Sequence, residues 1–530
     1  MKISKTMKMI AVVVICVMAS AAFLVTKDAP TPRIDLADRL DPPLSTQQSR
    51  EISAPAHMPT SPPNIVIIMA DDLGWNDVGY HGSEIQTPNI DRLVAGGVEL
   101  DRFYAHPTCS PTRASLLTGK SPVRLGVIAP LAKINPTGLP IEEVTLAERL
   151  KEKGYQTALV GKWHLGGRNV AYLPNARGFD YFFGNLMGGI GFWDHVHGGG
   201  YDLQRNGETV RSDEYITHLT AKEVKKVIET RDKNQPLFLF SSFNAPHLPN
   251  EAPEEMVAKY SHIEGENRRI HAAMVSEFDD AVGQIYATLE SEDMLENTLI
   301  WFMSDNGGLI PKSPLINWLP NWALEKQTEK ILGEEINASD KFLEFARIQL
   351  TQGASDNSPW QGGKTTLWEG AMRVPSFVYW KGVLKPAKND QMIAMQDILP
   401  TLMALSGGEN IGEIDGRSIW PALSGGETLA PNPVVTVSGP GEPSFAVYYY
   451  PWKLVQAPDS GLSLFNVELD PLENHELSNQ FPNITSQLNE YLNNFPRGEV
   501  VHVPYQATAN DTDFFGGEED REPWAEAAEN

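Results

Sequence analysis

Oxygen-bearing side chains follow two apolar segments of the chain, at the point where each segment ends. The segment NIVIIMA is followed by Asp71 and Asp72, and the segment TLIWFMS is followed by Asp305 and Asn306. Carboxylate and amide oxygens are the ligands that hard divalent cations prefer, and a cation offsets the repulsion between neighbouring carboxylates. The four side chains therefore predict a metal site. Calcium is the first choice, because side chains alone could fill several of its ligand positions, and magnesium is the second.

Basic side chains follow two further apolar segments. The segment YQTALVG ends just before Lys162 and His164, and the segment PLFLFSSF is followed, after three intervening residues, by His247. Taken singly, an Asp pair is typical of a turn or a helix cap, and a lone histidine of a satisfied core or surface residue. The prediction of a site depends on all four segment ends lying together. Ligands of open parallel sheets bind beyond the carboxyl ends of the strands.

The stretch PTCSPTRASLLTGK at 107–120 contains Cys109, one of two cysteines in the chain; Cys16 lies in the apolar N-terminal run. The residues after Cys109, with Pro111 in the first turn, are typical of a helix start. Cys109 would then lie where a helix dipole stabilises an anion. It would be either a buried inert thiol or a reactive one. A thiol nucleophile wants a nearby histidine and no hard metal, so a thiol conflicts with the acidic cluster unless Cys109 is chemically altered.

The elements that must position these residues alternate between apolar strands and amphipathic helices from residue 64 onward. This pattern predicts an α/β domain at 64–400, with a large, mostly parallel sheet between two layers of helices. After about residue 400, glycine and proline become frequent and the strands shorten. We therefore expect a smaller C-terminal subdomain at 401–500, made of an antiparallel sheet and one helix.

The two ends of the chain differ from this body. Residues 1–25 combine a basic start, an apolar run and small residues, which predicts an export signal; an uncleaved membrane anchor is the alternative, because the run approaches the length of a short span. Residues 26–63 are typical of a disordered linker, and 501–530 of an acidic tail. No stable membrane span is expected after signal cleavage. We expect a periplasmic or secreted protein, and the low cysteine count fits a bacterial one.

The formal net charge of −25 argues against non-specific nucleic-acid binding, which needs a basic face. It also raises a question about anionic substrates, because the overall field of the protein would repel them. Local cations such as Lys162 would have to outweigh that field.

The sequence CSPTR at 109–113 resembles the signature of the type I sulfatases, the formylglycine-dependent family of the alkaline phosphatase superfamily. The resemblance extends over 64–495. GKWHLG, RGFDYFFG and LWEG bring it closest to the arylsulfatase B-like branch, and the other family motifs present are DDLGW, APH, SDNGG and GGK. It implies an alkaline-phosphatase-like fold, and oxidation of Cys109 to formylglycine (3-oxoalanine) by a maturation enzyme.

The resemblance also implies a role for each motif residue. Asp71, Asp72, Asp305 and Asn306 would hold calcium together with an oxygen of residue 109, whose hydrated aldehyde would be the nucleophile. The other roles concern the sulfate: Arg113 and Lys162 would stabilise residue 109 and the sulfate charge, His164 would help release sulfate, His247 and Lys364 would hold sulfate and assist the leaving group, and Asp305 is the plausible base.

Two segments are candidates for substrate specificity. Residues 309–361 form an insertion longer than the resemblance leads us to expect, either a surface excursion or oligomer contact or a wall of the substrate site. Trp318 and Trp322 lie within it and could stack on sugar rings. The Gly-rich segment at 188–207 is the second candidate, and its polar and aromatic residues are Trp193, His195, His197 and Arg205.

The resulting prediction is an exported sulfatase that hydrolyses sulfate esters on a polysaccharide or oligosaccharide, with a galactose-type 4-sulfate as the natural guess. Two alternatives stay open. One is a phosphodiesterase or phosphonate monoester hydrolase of the same superfamily. The other is a glycan-binding protein that kept the fold without catalysis.

Overall fold

The computed structural model describes residues 36–44, 49–52, 62–132, 135–197, 200–310, 319–332, 340–439 and 442–501. The predicted signal at 1–25, most of the predicted linker and nearly all of the acidic tail lie outside these ranges, as does Trp318. Among the described helices, none is both long enough and apolar enough to cross a membrane.

The described chain contains strands and α-helices in alternation through its first two thirds. The strands are β1 Ser49–Ile52, β2 Asn64–Ala70, β3 Val98–Tyr104, β4 Gln156–Gly161, β5 Tyr181–Gly184, β6 Val196–His197, β7 Gly200–Tyr201, β8 Gln204–Arg205, β9 Glu208–Thr209, β10 Leu237–Ser242, β11 Thr298–Ser304, β12 Ser376–Tyr379, β13 Ala387–Ala394, β14 Glu409–Glu413, β15 Val434–Ser438, β16 Ser444–Tyr449, β17 Trp452–Ala457 and β18 Gly461–Asn466. The α-helices are α1 Pro88–Gly96, α2 Cys109–Thr118, α3 Pro122–Leu125, α4 Leu146–Glu152, α5 Ile216–Thr230, α6 Glu254–Lys259, α7 Glu266–Ser291, α8 Asn321–Leu332, α9 Asp340–Thr351, α10 Glu369–Met372, α11 Ile398–Leu405, α12 Trp420–Gly425 and α13 Pro482–Asn494.

Ten of these strands form one large sheet in the order β13-β3-β12-β11-β2-β10-β4-β5-β8-β9. Neighbours from β11 through β5 are all parallel, and β13 is parallel to β3. The strands β12 and β8 run antiparallel to both of their neighbours. The predicted α/β class with a mostly parallel sheet is confirmed.

The central strands are apolar along their whole length because helices cover both faces of the sheet. In β2, Ile65 and Ile67 belong to the hydrophobic cluster on one face, and Val66 and Ile68 to the cluster on the other. All four side chains are almost completely buried. Burial of one such side chain stabilises the fold by about 1.5–3 kcal/mol, so these strands rigidly support whatever follows their carboxyl ends.

The C-terminal part contains a second sheet, the antiparallel meander β15-β16-β17-β18, as the sequence predicted. Ile484 and Leu488 of α13 pack with Val447 and Leu454 of this sheet. Another cluster joins the small sheet to the large domain, since Tyr448 packs there with residues of β3 and α10. The boundaries near residues 400 and 500 stay predictions.

A buried polar network also connects the two sheets. The hydroxyls of Tyr104 and Tyr448 donate to the Glu369 carboxylate at 2.6 and 2.9 Å. Lys453 donates to Glu473 and lies 3.6 Å from Glu369, and the Glu369 backbone N–H donates to Glu473 at 2.8 Å. All five residues are buried, and burial raises the pKa of Glu473 to about 7. The network attaches the small sheet to α10, close after Lys364 in the chain.

Candidate active site

Four strands of the large sheet end at one level. Ala70 pairs with Ser304, and Ser242 pairs with both Met69 and Gly161. The next residues continue the hydrogen bonding: Lys162 N–H donates to Ser242 O at 2.8 Å, and Asp305 N–H donates to Ala70 O at 3.1 Å. The segment ends that the sequence singled out therefore meet at one edge of the sheet.

The residues at this edge form one cluster, which contains Asp71, Asp72, Cys109, Arg113, Lys162, His164, His247, Asp305, Asn306 and Lys364. Its acidic and basic side chains lie next to one another, and nearly all of them are buried. Buried charges are costly unless they are paired. Three ion pairs join the cluster: Lys162 Nζ to Asp71 Oδ2 at 2.7 Å, Lys364 Nζ to Asp72 Oδ2 at 2.7 Å, and Arg113 Nη2 to Asp305 Oδ2 at 2.8 Å. The cluster thus has three cations, each paired with one carboxylate.

Two oxygens of the cluster are buried without a hydrogen-bond partner, namely Asp71 Oδ1 and Asn306 Oδ1. Burial raises the pKa of Asp71, although Lys162 opposes this shift. Asp71 and Asp72 also belong, with Cys109 and His247, to a group whose ligand atoms lie within 4.8 Å of one another. Unpartnered buried oxygens are expensive, and a hard cation would satisfy them. The donor set therefore fits an oxygen-preferring metal ion.

Three residues at the rim of the cluster have left-handed backbone conformations. Asp72, His164 and Thr365 have φ angles of 65°, 59° and 75°. Such a conformation costs about 1–3 kcal/mol for a residue with a side chain, and it concentrates at functional sites. The local strain shows that these side chains are held in directions that an ordinary turn would not give them.

Cys109 is the first residue of α2 and is 1% exposed. Burial raises the pKa of its thiol to about 11, so the thiol is protonated at neutral pH and is a poor nucleophile. The residues after it have structural contacts: Ser110 Oγ donates to His164 O at 2.8 Å, and Arg113 Nη1 donates to Lys162 O at 3.0 Å. The CSPTR segment thus positions the Lys162–His164 loop as well as residue 109.

Both histidines of the cluster are neutral. Burial and the nearby cations lower the pKa of His164 and of His247 well below the usual value. His247 Nδ1 lies 2.7 Å from Leu248 O, so it carries the ring proton, because a carbonyl only accepts. Its Nε2 then faces the cluster as an acceptor, 3.7 Å from Asp72 Oδ2.

The end of the predicted insertion contacts the backbone next to Lys364 through Asn357, a residue that the sequence did not single out. Asn357 Oδ1 accepts from Gly308 N–H at 2.9 Å, and its Nδ2 donates to Gly308 O and Gly362 O at 2.9 and 3.2 Å. Lys364 N–H donates to the same Gly308 carbonyl at 3.2 Å. Asn357 therefore closes the base of the insertion and holds the backbone next to Lys364.

Two other polar residues of the site were missed. Ser242 accepts from Arg113 Nη1 at 2.5 Å, and Asn244, three residues before His247, is buried with both side-chain polar atoms unpartnered. Their positions at the end of the segment PLFLFSSF were the only available signal.

The predicted substrate residues lie in different surroundings. Trp193 is 43% exposed, and Trp322 on α8 is 64% exposed. His197 is near enough to Lys162 and His164 to interact electrostatically, and burial lowers its pKa to about 4. His195 is buried with its ring nitrogens facing Ser212 O and Glu214 O. Arg205 is paired with Glu223 at 2.9 Å on the sheet edge, so the last two side chains are engaged in contacts that shape their own loop.

Asp77 anchors the loop that carries Asp71 and Asp72. It is completely buried and accepts from His271 Nε2 at 3.0 Å, from Arg268, and from the backbone N–H groups of Gly74 and Asp356. The loop is thereby tied to α7 and to the returning end of the insertion.

Stability should fall in acid because of Asp77. Burial alone would raise its pKa, but His271 and Arg268 hold the pKa at about 2. Because the pKa of Asp77 is lower in the folded protein than in the unfolded one, its carboxylate stabilises the fold at any pH above the unfolded-state pKa. This stabilisation is lost as the pH falls toward 2. When the pH falls from about 5 to about 3, protonation linked to Asp77 should lower the free energy of unfolding by about 1 kcal/mol. Urea titrations of the wild type and Asp77→Asn measure this. Equal losses in the two proteins would show that Asp77 does not contribute.

The family model described as Sulfatase matches residues 63–408. The chain is similar to arylsulfatase J of Mus musculus, with 31% identity over 523 residues, covering 86% of this chain and 80% of the relative. It is also similar to N-acetylgalactosamine-6-sulfatase of Homo sapiens, with 30% identity over 393 residues, covering 69% and 67%.

A solved structure resembles the chain over most of its length. The crystal structure of Ps i-CgsB in complex with k-i-k-neocarrahexaose superimposes with a TM-score of 0.72 and 27% identity, covering 86% of this chain and 98% of that one. A phosphonate monoester hydrolase of Agrobacterium radiobacter, with 18% identity and a TM-score of 0.54, shares the fold.

Proposed function

Because the chain belongs to the sulfatase family and is a sulfuric ester hydrolase, we propose that it releases sulfate from a sulfated polysaccharide or oligosaccharide, with a galactose-type 4-sulfate as the first substrate to test. The observation that carries the proposal is the buried cluster of Arg113, Lys162 and Lys364 around Cys109. A similar structure that holds a neocarrahexaose supports a glycan substrate.

We propose that Asp71, Asp72, Asp305, Asn306 and an oxygen of residue 109 hold a calcium ion, with magnesium as the second choice. The unpartnered oxygens of Asp71 and Asn306 support this set. When bound, the ion would supply positive charge next to residue 109 and lower the pKa of a hydroxyl there. The positive charge of the ion would then add to that of Lys162, Lys364 and Arg113 in balancing the carboxylates.

We also propose that Cys109 is converted to formylglycine by a maturation enzyme. The protonated, buried thiol supports this, because an unmodified cysteine in this position would be a weak nucleophile. As a hydrated aldehyde, residue 109 would offer one hydroxyl to attack sulfur and a second whose deprotonation releases sulfate. Asp305, which also accepts from Asp72 N–H at 3.2 Å, is the proposed base for the attack.

The cations are proposed to bind the sulfate oxygens. Asp72 raises the pKa of Lys364 above its usual range, although burial alone would lower it, so Lys364 stays charged. Lys162 and Arg113 are fixed by their own carboxylates. Such fixed charges act strongly in a site without water and need no reorganisation during the reaction. The three cations are matched by the three carboxylates, so the proposed calcium ion would give the site the net positive charge that attracts an anion despite the net charge of the protein.

Two histidines are proposed to move protons. His164 would accept the proton whose loss allows sulfate to leave. His247 presents Nε2 as an acceptor in its neutral form, so it would assist the leaving oxygen only after taking up a proton. Lys364 already carries a proton and is the alternative donor.

We propose a periplasmic or secreted location, because sulfated polysaccharides lie outside cells.

The function is tested by measuring free sulfate from carrageenan, chondroitin and ulvan oligosaccharides, together with turnover of an aryl sulfate and an aryl phosphodiester. We expect sulfate release from at least one oligosaccharide and faster turnover of the aryl sulfate than of the phosphodiester. Faster phosphodiester turnover would contradict the proposal and favour the phosphodiesterase alternative. Aryl sulfate turnover without release from any glycan would contradict only the glycan substrate.

Metal removal should lower both turnover and stability. After chelation, we expect turnover to fall to background and the melting temperature to fall, because the carboxylates lose their counter-ion. Calcium at one hundred times its dissociation constant should restore about 2.7 kcal/mol of stability. Differential scanning calorimetry with calcium and with magnesium measures this. Asp71→Asn is the matched variant and should respond less to calcium. Equal melting temperatures with and without calcium would contradict the metal site.

A further inference from the structure

A surface cleft with a volume of about 510 Å³ opens near the site and has no role in the chemistry above. Its walls come from the loop that carries Trp193, from the chain that follows His247, and from the first turns of α6 and α7. The lining residues that matter here are Trp193, Asn250, Glu251, Glu254, Glu266 and Arg269.

The cleft is close to the proposed sulfate site. Asn250 is three residues after His247, so their Cα atoms are at most about 11 Å apart. A Cβ built on Gly189, four residues before Trp193, would lie 3.2 Å from the His247 ring. A sugar chain whose sulfate enters the site therefore has one of its neighbouring units within reach of the cleft.

The cleft is fixed by buried and partly buried hydrogen bonds. Glu251 accepts from Phe192 N–H at 2.7 Å, and its carbonyl accepts from Tyr215 OH at 2.9 Å. Asn250 Nδ2 donates to Gln352 O at 2.8 Å, which joins the cleft to the end of the insertion. The walls are thus held together before any ligand arrives.

The chemistry of the lining suits a sugar ring. The Trp193 ring is 43% exposed and packs against the buried Tyr215 ring, with 5.0 Å between the ring centroids. A supported indole face offers flat apolar area at little cost in side-chain entropy. The carboxylates of Glu254 and Glu266, both exposed, add acceptors for hydroxyl groups in the same cleft.

The lining of the cleft carries more negative than positive charge. Three carboxylates, those of Glu251, Glu254 and Glu266, face the cleft, and Arg269 is the one cation among its described lining residues. The Arg269 guanidinium also donates to Ile263 O at 3.1 Å. A second sulfate placed here would meet repulsion, whereas neutral hydroxyls would meet acceptors.

We infer that this cleft is a subsite for an unsulfated sugar unit adjacent to the sulfated one. The inference rests on the proposed glycan function and narrows it. The enzyme would select substrates in which a sulfated sugar has a neutral neighbour, through the aromatic face of Trp193 and the carboxylates of Glu254 and Glu266.

Carrageenan oligosaccharides provide a matched pair of substrates. In the κ type the anhydrogalactose beside the 4-sulfated galactose is unsulfated, and in the ι type it carries sulfate. We expect kcat/KM for the κ-type tetrasaccharide to exceed that for the ι type by about tenfold at low salt. Glu254→Gln/Glu266→Gln should reduce that ratio to about threefold or less. The control is Glu152→Gln/Glu296→Gln, which removes the same charge before strands β4 and β11, at the opposite edge of the sheet.

Trp193→Ala gives a second, independent readout. The ratio of κ-tetrasaccharide to aryl sulfate kcat/KM should fall by about tenfold or more, since one stacked aromatic face is worth about that much. An unchanged ratio in Trp193→Ala, or equal κ and ι rates in the wild type, would overturn the subsite while leaving the sulfatase function standing. Aryl sulfate turnover with no hydrolysis of either tetrasaccharide would overturn the subsite together with the galactose 4-sulfate assignment.

Discussion

Replacing Cys109 with alanine is expected to lower kcat for sulfate esters by about ten-thousandfold or more, which is the usual effect of removing a nucleophile. The fold should persist, because the exchange removes one small buried group and costs about 1 kcal/mol. Initial rates with an aryl sulfate, together with the melting temperature, measure the two effects separately. Because the cation cluster remains, the variant should still bind substrate and would trap it in the site.

The chemical state of residue 109 in the active wild-type protein is the control for the Cys109→Ala experiment. Trypsin releases it in the peptide 103–113, and mass spectrometry of that peptide distinguishes a thiol from an aldehyde. Active protein from the native host should contain the aldehyde. An unmodified thiol in fully active protein would contradict the formylglycine proposal. Near-normal turnover by Cys109→Ala would contradict any role of residue 109 as nucleophile.

Replacing Asp305 with alanine is expected to lower the free energy of unfolding by about 3–5 kcal/mol in the presence of a chelator. Arg113 is completely buried, and two of its guanidinium nitrogens donate to Asp305 Oδ2 at 3.2 and 2.8 Å. Without that carboxylate, the buried guanidinium has lost its counter-ion. Turnover should fall to background as well, since Asp305 is both a proposed metal ligand and the proposed base.

A double-mutant cycle separates these effects. The variant Arg113→Ala/Asp305→Ala should lose less stability than the sum of the single variants, because neither charge is left unpaired. Repeating the urea titrations with calcium isolates the metal contribution, which Asp305→Ala should lack. Simple additivity of the two single losses would contradict a coupled ion pair, and full calcium stabilisation of Asp305→Ala would contradict its role as a ligand.

The large sheet could be predicted from the sequence because its strands are continuous apolar runs between amphipathic helices. The same runs located the functional edge, since a parallel sheet brings its strand ends to one side. The short antiparallel strands β12 and β8 carry too few residues to show a pattern. They are formed by pairing with strands that are distant in the chain, which local propensity does not encode.

The polar residues of the site were predictable only where a motif or a strand end marked them. Asn357 and Asp77 act through contacts with residues more than forty and more than two hundred positions away, so no local pattern indicates them. His195 and Arg205 illustrate the reverse case. Their types and Gly-rich surroundings are typical of a sugar site, but residue type does not show which way a side chain turns, and here both are engaged by neighbouring loop and edge groups.

The buried network of Glu369, Glu473 and Lys453 couples the stability of the small sheet to the function of the site. Its members come from α10, from β17 of the small sheet and from the loop after β18, and neutralising one leaves another charged in the protein interior. The two sheets should therefore melt in one cooperative transition. Glu369 lies five residues after Lys364, so loosening the small sheet also releases the backbone that carries that lysine. Loss-of-function variants are consequently expected in the C-terminal sheet, among residues that never approach a sulfate group.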